Sequence, residues 1–136
     1  MGDVDCRVRN SAVANPNSAL EKFCMICTAV PDERTAETIA EKIVENHLAA
    51  CASIFPVKSV FRWKGKLEHA SEFAVVLKTR TALVAECERE LKKFHPYELP
   101  EIIRIPIGGN REFLKWIGEE TAEHSQGRNK YNQGHP

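Results

Sequence analysis

Two long extended runs on either side of Lys64-Gly65 constrain the fold of this chain more than any other feature. The run CASIFPVKSVFRW (51–63) precedes this dipeptide and KLEHASEFAVVLKT (66–79) follows it, and both are rich in β-branched and aromatic residues. A two-residue connection that contains glycine is typical of a tight antiparallel hairpin. The sequence therefore predicts one long hairpin, in which Pro56 should cause a bulge or bend in the first strand.

The segments around the hairpin predict a strand and a helix on each side of it. Residues 22–30 form a short apolar run bounded by a proline, which is typical of a buried strand. Apolar residues then recur at helical spacing between charged ones, and Asp32 is placed to act as the N-cap. A helix and a strand follow the hairpin in residues 81–95 and 101–107, and Asn110 begins a short closing helix, NREFLKWIGEE.

The order of these elements predicts the fold class. With right-handed crossovers it most simply gives an α+β, ferredoxin-like β-α-β-β-α-β sandwich plus the short C-terminal helix, with antiparallel strands in the order 4-1-3-2. We assign this domain to residues 21–118. Residues 1–20 and 119–136 contain few apolar side chains, so we expect both to be mobile polar tails.

Two of the predicted strands are apolar on both faces. The runs CMIC (24–27) and AVVL (74–77) each place four apolar residues in succession. The helices cover one face only, and a second apolar face needs a cover of its own. Little chain remains to supply it, so we predict a homo-oligomer, and we expect the long hairpin to pair with a neighbouring copy.

The charge balance excludes several classes of partner. The 19 basic side chains are offset by 19 acidic ones, so no net field attracts nucleic acid or an anionic membrane. No apolar run approaches the roughly 18–20 residues that membrane insertion requires, and residues 1–20 lack the apolar region of a signal peptide. We therefore expect a cytoplasmic protein, in which the five cysteines are reduced thiols.

The spacing of Cys24 and Cys27 resembles that of a redox or zinc C-x-x-C motif. On a regular strand, however, side chains three residues apart point to opposite faces. The pair therefore cannot bind one metal ion or form an easy disulfide, and no second C-x-x-C is present to complete a structural zinc site. Each cysteine has to be interpreted singly.

Cys27 and His95 are predicted to meet at one edge of the molecule. In the predicted strand order the last strand lies antiparallel to the first, so the end of strand one meets the segment before strand four, which contains His95, Glu98 and Glu101. A thiolate and an imidazole suit copper or zinc rather than magnesium or calcium. The alternative is that His95, at a helix end, only satisfies carbonyl groups of the last turn.

Several motifs together resemble the CutA family of divalent-cation tolerance proteins. They include LAAC (48–51), WKGK (63–66) and HPYELPE (95–101), and the resemblance runs in collinear order from residue 23 to about 117. It implies a ferredoxin-like homotrimer with inward-facing sheets and a role in tolerance of copper or other divalent metals. We expect no catalysis, because no nucleophile signature surrounds Cys27 and no oxyanion hole is evident to complete a Cys-His pair. A copper site in a bacterial member uses a cysteine that matches Cys27 and two successive histidines, which here read Phe94-His95. The resemblance therefore implies Cys27 and His95 as ligands for weakly bound Cu(II) or another divalent ion, which folding does not require.

An inter-subunit cleft offers an alternative function. Trp63, Lys66, Tyr97, Glu98 and Glu101 are candidates to line such a cleft, which would bind a small anion, a metabolite or a protein. The fold is similar to that of PII-like signalling trimers, and mammalian CutA proteins resemble scaffolds, so a scaffold or signalling trimer is the second hypothesis. The competing interpretation of the aromatic residues is packing at the hairpin or at an interface.

Overall fold

The computed structural model describes residues 22–134, with side chains described as far as Ala122. Within this part of the chain the elements follow the predicted β-α-β-β-α-β order and end in a helix. They are β1 (Phe23–Val30), α1 (Glu33–Glu45), β2 (Cys51–Trp63), β3 (Lys66–Arg80), a 3₁₀ turn (Thr81–Leu83), α2 (Val84–Phe94), β4 (Ile103–Ile107) and α3 (Arg111–Gly134). The α+β class is therefore confirmed. The tail predicted for residues 1–20 lies outside the described residues.

The four strands form one antiparallel sheet in the order β2-β3-β1-β4, which confirms the predicted neighbours. The β2-β3 pairing runs without interruption from Cys51↔Lys78 to Trp63↔Lys66. The bulge expected at Pro56 is absent from this register, because Pro56 pairs directly with Phe73. β2 is an edge strand of the sheet, a position in which proline is tolerated.

The far half of the hairpin extends beyond the rest of the sheet. β1 pairs with β3 only as far as Val30↔Phe73. Between there and the turn, the pairing of β2 with β3 continues, and Lys64 and Gly65 adopt the positive φ angles of 50° and 82° that a tight turn requires. The hairpin therefore projects as a two-stranded arm.

The core lies between the helices and one face of the sheet. The N-terminus of α1 is capped as predicted, since Asp32 Oδ1 accepts a hydrogen bond from the Thr35 N–H at 2.8 Å. Ile26, Leu77 and Leu91 are fully buried, and each buried side chain of this size stabilises the fold by about 1.5–3 kcal/mol. Cys87 is buried with them, and burial raises the pKa of its thiol to about 12.

The other face of the sheet, which we call the open face, is apolar and exposed. Phe55, Ile103 and Ile105 are 45%, 49% and 40% exposed. Directly paired residues share a face, and Cys27 pairs with Ile103, so the Cys27 side chain lies on this face as well. The structure thus agrees with the prediction of a sheet that is apolar on both sides.

The last helix is longer than predicted. It continues to Gly134, through most of the segment that we assigned to a polar tail beginning at residue 119. Thr121 is fully buried and its hydroxyl accepts a hydrogen bond from Arg80 Nε at 2.9 Å. No proline interrupts residues 111–134, and this contact anchors the helix to β3, so the folded body extends beyond the predicted boundary at residue 118. No helix among the described residues is long and apolar enough to cross a membrane.

Candidate functional site

The C-terminal end of β1 and the loop after α2 meet at one edge of the sheet. We call this surface, made of residues 27–29 and 95–101, the rim. As the predicted topology required, Cys27 pairs with Ile103 at the start of β4. The Thr28 hydroxyl then donates a 2.6 Å hydrogen bond to the carbonyl oxygen of Glu101. Two segments far apart in the sequence are therefore fixed against each other.

His95 fastens the same two segments with its side chain. Its Nδ1 accepts a 3.3 Å hydrogen bond from the Tyr97 N–H, so this network assigns the proton to Nε2. Nε2 lies 3.0 Å from the Ala29 carbonyl oxygen, to which it donates, and 3.0 Å from Thr28 Oγ1. Burial lowers the pKa of His95, against the opposing effects of the Ala29 hydrogen bond and of the negative charges of Glu72 and Glu101. Both ring nitrogens of a neutral imidazole are thus used within the chain.

The ring of His95 does not satisfy carbonyl groups of α2, which was the alternative interpretation. Its backbone N–H bonds the Leu91 carbonyl oxygen at 2.9 Å, but its ring is directed to β1. Phe94, at the position where the resemblance implied another histidine, has the Lys42 ammonium 5.3 Å from its ring centroid. This position therefore contacts a cation through an aromatic face and offers no nitrogen ligand.

The Cys27 thiol lies at the rim but faces the open side of the sheet. Thr28, which His95 contacts, is buried on the helix side, and neighbouring side chains of a strand point to opposite faces. The pKa of Cys27 is raised by burial and, to a smaller extent, by the negative charge of Glu101. The neutral thiol is therefore the favoured form. Cys24, buried on the helix face, likewise points away from Cys27, as predicted for two separate cysteines.

The described residues of one chain do not form a complete metal site. Among the described residues, no three His, Cys, Asp or Glu side chains converge closely enough to hold one. At the rim, both nitrogens of His95 are occupied by hydrogen bonds and the thiol of Cys27 favours its protonated form. The structure brings these two residues to the same rim, and their assignment as ligands stays a prediction.

Tyr97 connects the rim to the hairpin. Its hydroxyl donates a 2.7 Å hydrogen bond to Glu72 Oε2, and its ring centroid lies 5.1 Å from that of His95. Burial raises the pKa of Tyr97 to about 12, assisted by the hydrogen bond and negative charge of Glu72. The phenol therefore stays protonated and remains a hydrogen-bond donor to the buried carboxylate.

A cleft lies between the hairpin arm and the rim. It consists of two adjoining cavities of about 470 and 480 Å³ that share Phe61, Trp63, Tyr97 and Leu99 as walls. We call the pair the hairpin cavity. One part also contains Glu68 and Glu98, and the other contains Glu72 and Glu101.

Four of the five residues predicted for a cleft line the hairpin cavity. They are Trp63, Tyr97, Glu98 and Glu101, whereas Lys66 pairs with Trp63 but is not part of the walls. These walls belong to one chain, and the expectation that a neighbouring copy shares the cleft stays a prediction. Sequence reasoning missed Phe61 and Glu68. Both were detectable. Phe61 shares a strand face with Trp63, two residues away, and Glu68 pairs directly with Phe61.

Comparisons with known proteins agree on one family. The family model described as CutA1 divalent ion tolerance protein matches residues 24–120. The "Divalent-cation tolerance protein CutA" of Archaeoglobus fulgidus is 48% identical over 99 residues, which cover 72% of this chain and 96% of that protein. The protein of the same name from Thermus thermophilus is 40% identical over 100 residues, covering 72% and 97%. The solved "Structure of the Periplasmic divalent cation tolerance protein CutA from Archaeoglobus fulgidus" is similar with a TM-score of 0.71 at 46% identity, covering 73% of this chain and 98% of that one.

Proposed function

The chain belongs to the CutA1 family of divalent ion tolerance proteins, and from this premise we propose that it serves divalent-cation tolerance as a homotrimer whose working surface is the rim. One observation supports the choice of this surface. Thr28 and His95 bond the carbonyl groups of Glu101 and Ala29, respectively, at 2.6 and 3.0 Å, which makes the end of β1 and the loop one rigid unit. A preformed surface of this kind holds donor groups in place without a further ordering cost.

Within this function we propose that Cu(II) or another divalent cation binds weakly between copies, with Cys27 of one copy and His95 of another among its donors, because within one chain the thiol and the ring lie on opposite sides of the sheet. The hydrogen bond from His95 Nε2 to Ala29 orients the ring and fixes its tautomer, as hydrogen bonds from metal-binding histidines do. Nδ1 holds only the long 3.3 Å bond from Tyr97. The Cys27 thiol lies on the open face, which a second copy would cover. A shared site is required by this proposal because one chain lacks a ligand cluster among its described residues.

A copper titration of the full chain tests this site. We expect weak binding to the parent protein and at least tenfold weaker binding to Cys27→Ser and His95→Gln. Cys51→Ser is the matched control, because Cys51 is another half-buried thiol but lies away from the rim. Its affinity should equal that of the parent. Equal copper affinities in all four proteins would remove the rim as a metal site.

We propose a binding role rather than catalysis for the rim, and a cytoplasmic location. The thiolate is the nucleophilic form of cysteine, and both burial and Glu101 raise the pKa of Cys27. His95 already donates from Nε2 to the backbone carbonyl of Ala29, so its ring links β1 to the loop after α2 and is not placed as a general base. The four described cysteines are free thiols, which suits a reducing compartment.

A second candidate role is a scaffold or signalling trimer that binds a small molecule or a protein in its cleft. The hairpin cavity favours it, because a volume of about 470–480 Å³ in each part lies within the usual range for small-molecule sites. This role does not depend on metal binding at Cys27 and His95.

A further inference from the structure

The hairpin cavity has aromatic walls of the kind that attract cations. Phe61, Trp63 and Tyr97 border both of its parts. The face of an aromatic ring carries negative charge density and attracts weakly hydrated cations, most strongly in tryptophan. Trp63 already shows this behaviour within the chain, because the Lys64 ammonium lies 5.6 Å from its ring centroid.

The charged groups around the cavity are mostly acidic. Four glutamates take part in the walls, and Arg62 is the one basic residue among the lining residues that the structure describes. The four are Glu68, Glu72, Glu98 and Glu101. An anionic ligand would meet net repulsion here, although the sequence had left a small anion open as a ligand. A cationic ligand would be attracted.

Glu72 contributes a largely buried carboxylate to the wall of the cavity. Only 8% of this residue is exposed. Its Oε2 accepts the Tyr97 hydroxyl, whereas Oε1 accepts no hydrogen bond from the described residues and remains accessible at the cavity wall. No ion pair joins Glu72 to a described basic side chain. An accessible carboxylate oxygen at a cavity wall can accept a charge-assisted contact from a bound cation, and no described basic side chain occupies that position.

We propose that the hairpin cavity binds an organic cation, namely an ammonium ion that carries alkyl groups. The aromatic walls contact the alkyl surface, and Glu72 supplies the opposing charge at the inner end. A compact metal ion fits less well, because among the described residues no three ligand side chains converge on one point. The inference depends on the second candidate role, binding in the cleft, and is independent of copper at the rim.

A pair of probes with the same shape isolates the contribution of charge. Choline and its neutral isostere 3,3-dimethylbutan-1-ol differ in the quaternary nitrogen, which is a carbon in the isostere. We expect isothermal titration calorimetry on the full chain to show choline binding at least tenfold more tightly than the isostere. Inorganic phosphate should not bind in the cavity, because of the acidic walls.

Three variants locate the site. Trp63→Leu removes an aromatic wall and Glu72→Gln removes the buried charge while retaining an acceptor for Tyr97. Both should weaken choline binding at least fivefold. Glu98→Gln, at an exposed wall position, tests the charge should Glu72→Gln fail to fold, and should weaken choline binding at least twofold. Glu37→Gln, an equivalent charge loss on the exposed side of α1, is the control and should leave the affinity unchanged.

Defined outcomes would overturn the proposal. Equal binding of choline and its isostere would mean an apolar cleft without charge recognition. Binding of choline that is the same in the parent, Trp63→Leu and Glu98→Gln would place the ligand elsewhere. Absence of choline binding together with binding of phosphate would reverse the inferred charge preference. If choline fails while another small molecule still stabilises the protein at this cleft, the cleft role survives and only the ligand class is wrong.

Discussion

A single histidine fixes the geometry of the rim. His95 joins β1 through Ala29 and the following loop through Tyr97, and it does so as a neutral ring. Protonation of Nδ1 would remove the acceptor for the Tyr97 N–H and place a positive charge in a largely buried site. The loop that carries Tyr97 also borders the hairpin cavity, so we expect protonation of this one ring to disturb both surfaces.

Stability should therefore fall in mildly acidic solution. Burial lowers the pKa of His95 in the folded state, so the unfolded chain takes up a proton first as the pH decreases. The contribution of His95 is complete above its unfolded pKa of about 6.5 and is lost as the pH falls towards the lower folded value. Urea denaturation at pH 7.5, 6.0 and 5.0, without added metal, measures the effect.

The variant His95→Gln should show a smaller loss of stability over this pH range, because glutamine can still donate to Ala29 but does not titrate. His69→Gln provides the control, since His69 is exposed on the hairpin and should keep the pH dependence of the parent. If the parent and His95→Gln depend on pH equally, His95 is not the group responsible.

The sequence predicted that Cys27 and His95 would come to one edge, because strand order alone determines this. It did not predict how His95 uses its nitrogens. The partners of the ring are backbone groups of Ala29 and Tyr97. Because every residue has such groups, the residue types do not indicate which of them will bond the ring. The buried carboxylate of Glu72 was missed for a similar reason, since an alternating strand position does not distinguish a solvated glutamate from an enclosed one.

The hairpin and the last helix differ in how well the sequence predicts their extent. The hairpin was predictable almost to the residue from Lys64-Gly65 and the flanking strand patterns. The bulge expected at Pro56 is absent, and the edge position of β2, which tolerates proline, is a tertiary property that the local sequence does not show. The length of α3 was not predictable from its polar sequence. Its first part is anchored by contacts of Thr121 with Arg80, which is 41 residues away.

Replacing Thr121 by valine tests whether the helix beyond residue 118 is part of the folded body. The hydroxyl is fully buried, accepts from Arg80 Nε at 2.9 Å and donates to the Ile117 carbonyl oxygen at 2.8 Å. We expect Thr121→Val to lower the free energy of unfolding by about 1–2 kcal/mol. Chemical denaturation measures it, with Thr38→Val at an exposed position of α1 as the control. Equal stabilities of the two variants would contradict an anchored α3.

Assembly involves the whole molecule and should be dominated by the open face. Phe55, Ile103 and Ile105 form an apolar surface that one chain leaves exposed, and burial of apolar surface contributes about 25 cal/mol per Å². The fold class followed from the order of elements, and the need for a cover followed from strands that are apolar on both faces. The number of copies does not follow from apolarity, since it depends on how the covered faces fit together in space.

The proposed trimer can be checked by light scattering. The parent protein should have a mass near three times the 15.3 kDa of one chain. Ile105→Lys places a charge on the open face and should shift the mass towards that of a single chain. Thr38→Lys adds the same charge on the exposed surface of α1 and should leave the mass unchanged. A monomeric parent, or a trimer unaffected by Ile105→Lys, would contradict assembly through this face.

The projecting arm of the hairpin has a kinetic consequence. Between Phe73 and the turn, the two strands of the arm are paired only with each other among the described residues. An isolated two-stranded ribbon is marginally stable in water. Amide hydrogens of the arm should exchange with deuterium sooner than those of β1, through brief local openings. This ribbon carries Phe61 and Trp63, so a bound ligand or an adjoining protomer that contacts it would reduce its local opening. Ligand binding in the cavity and assembly of the protomers would then favour each other without any change of fold.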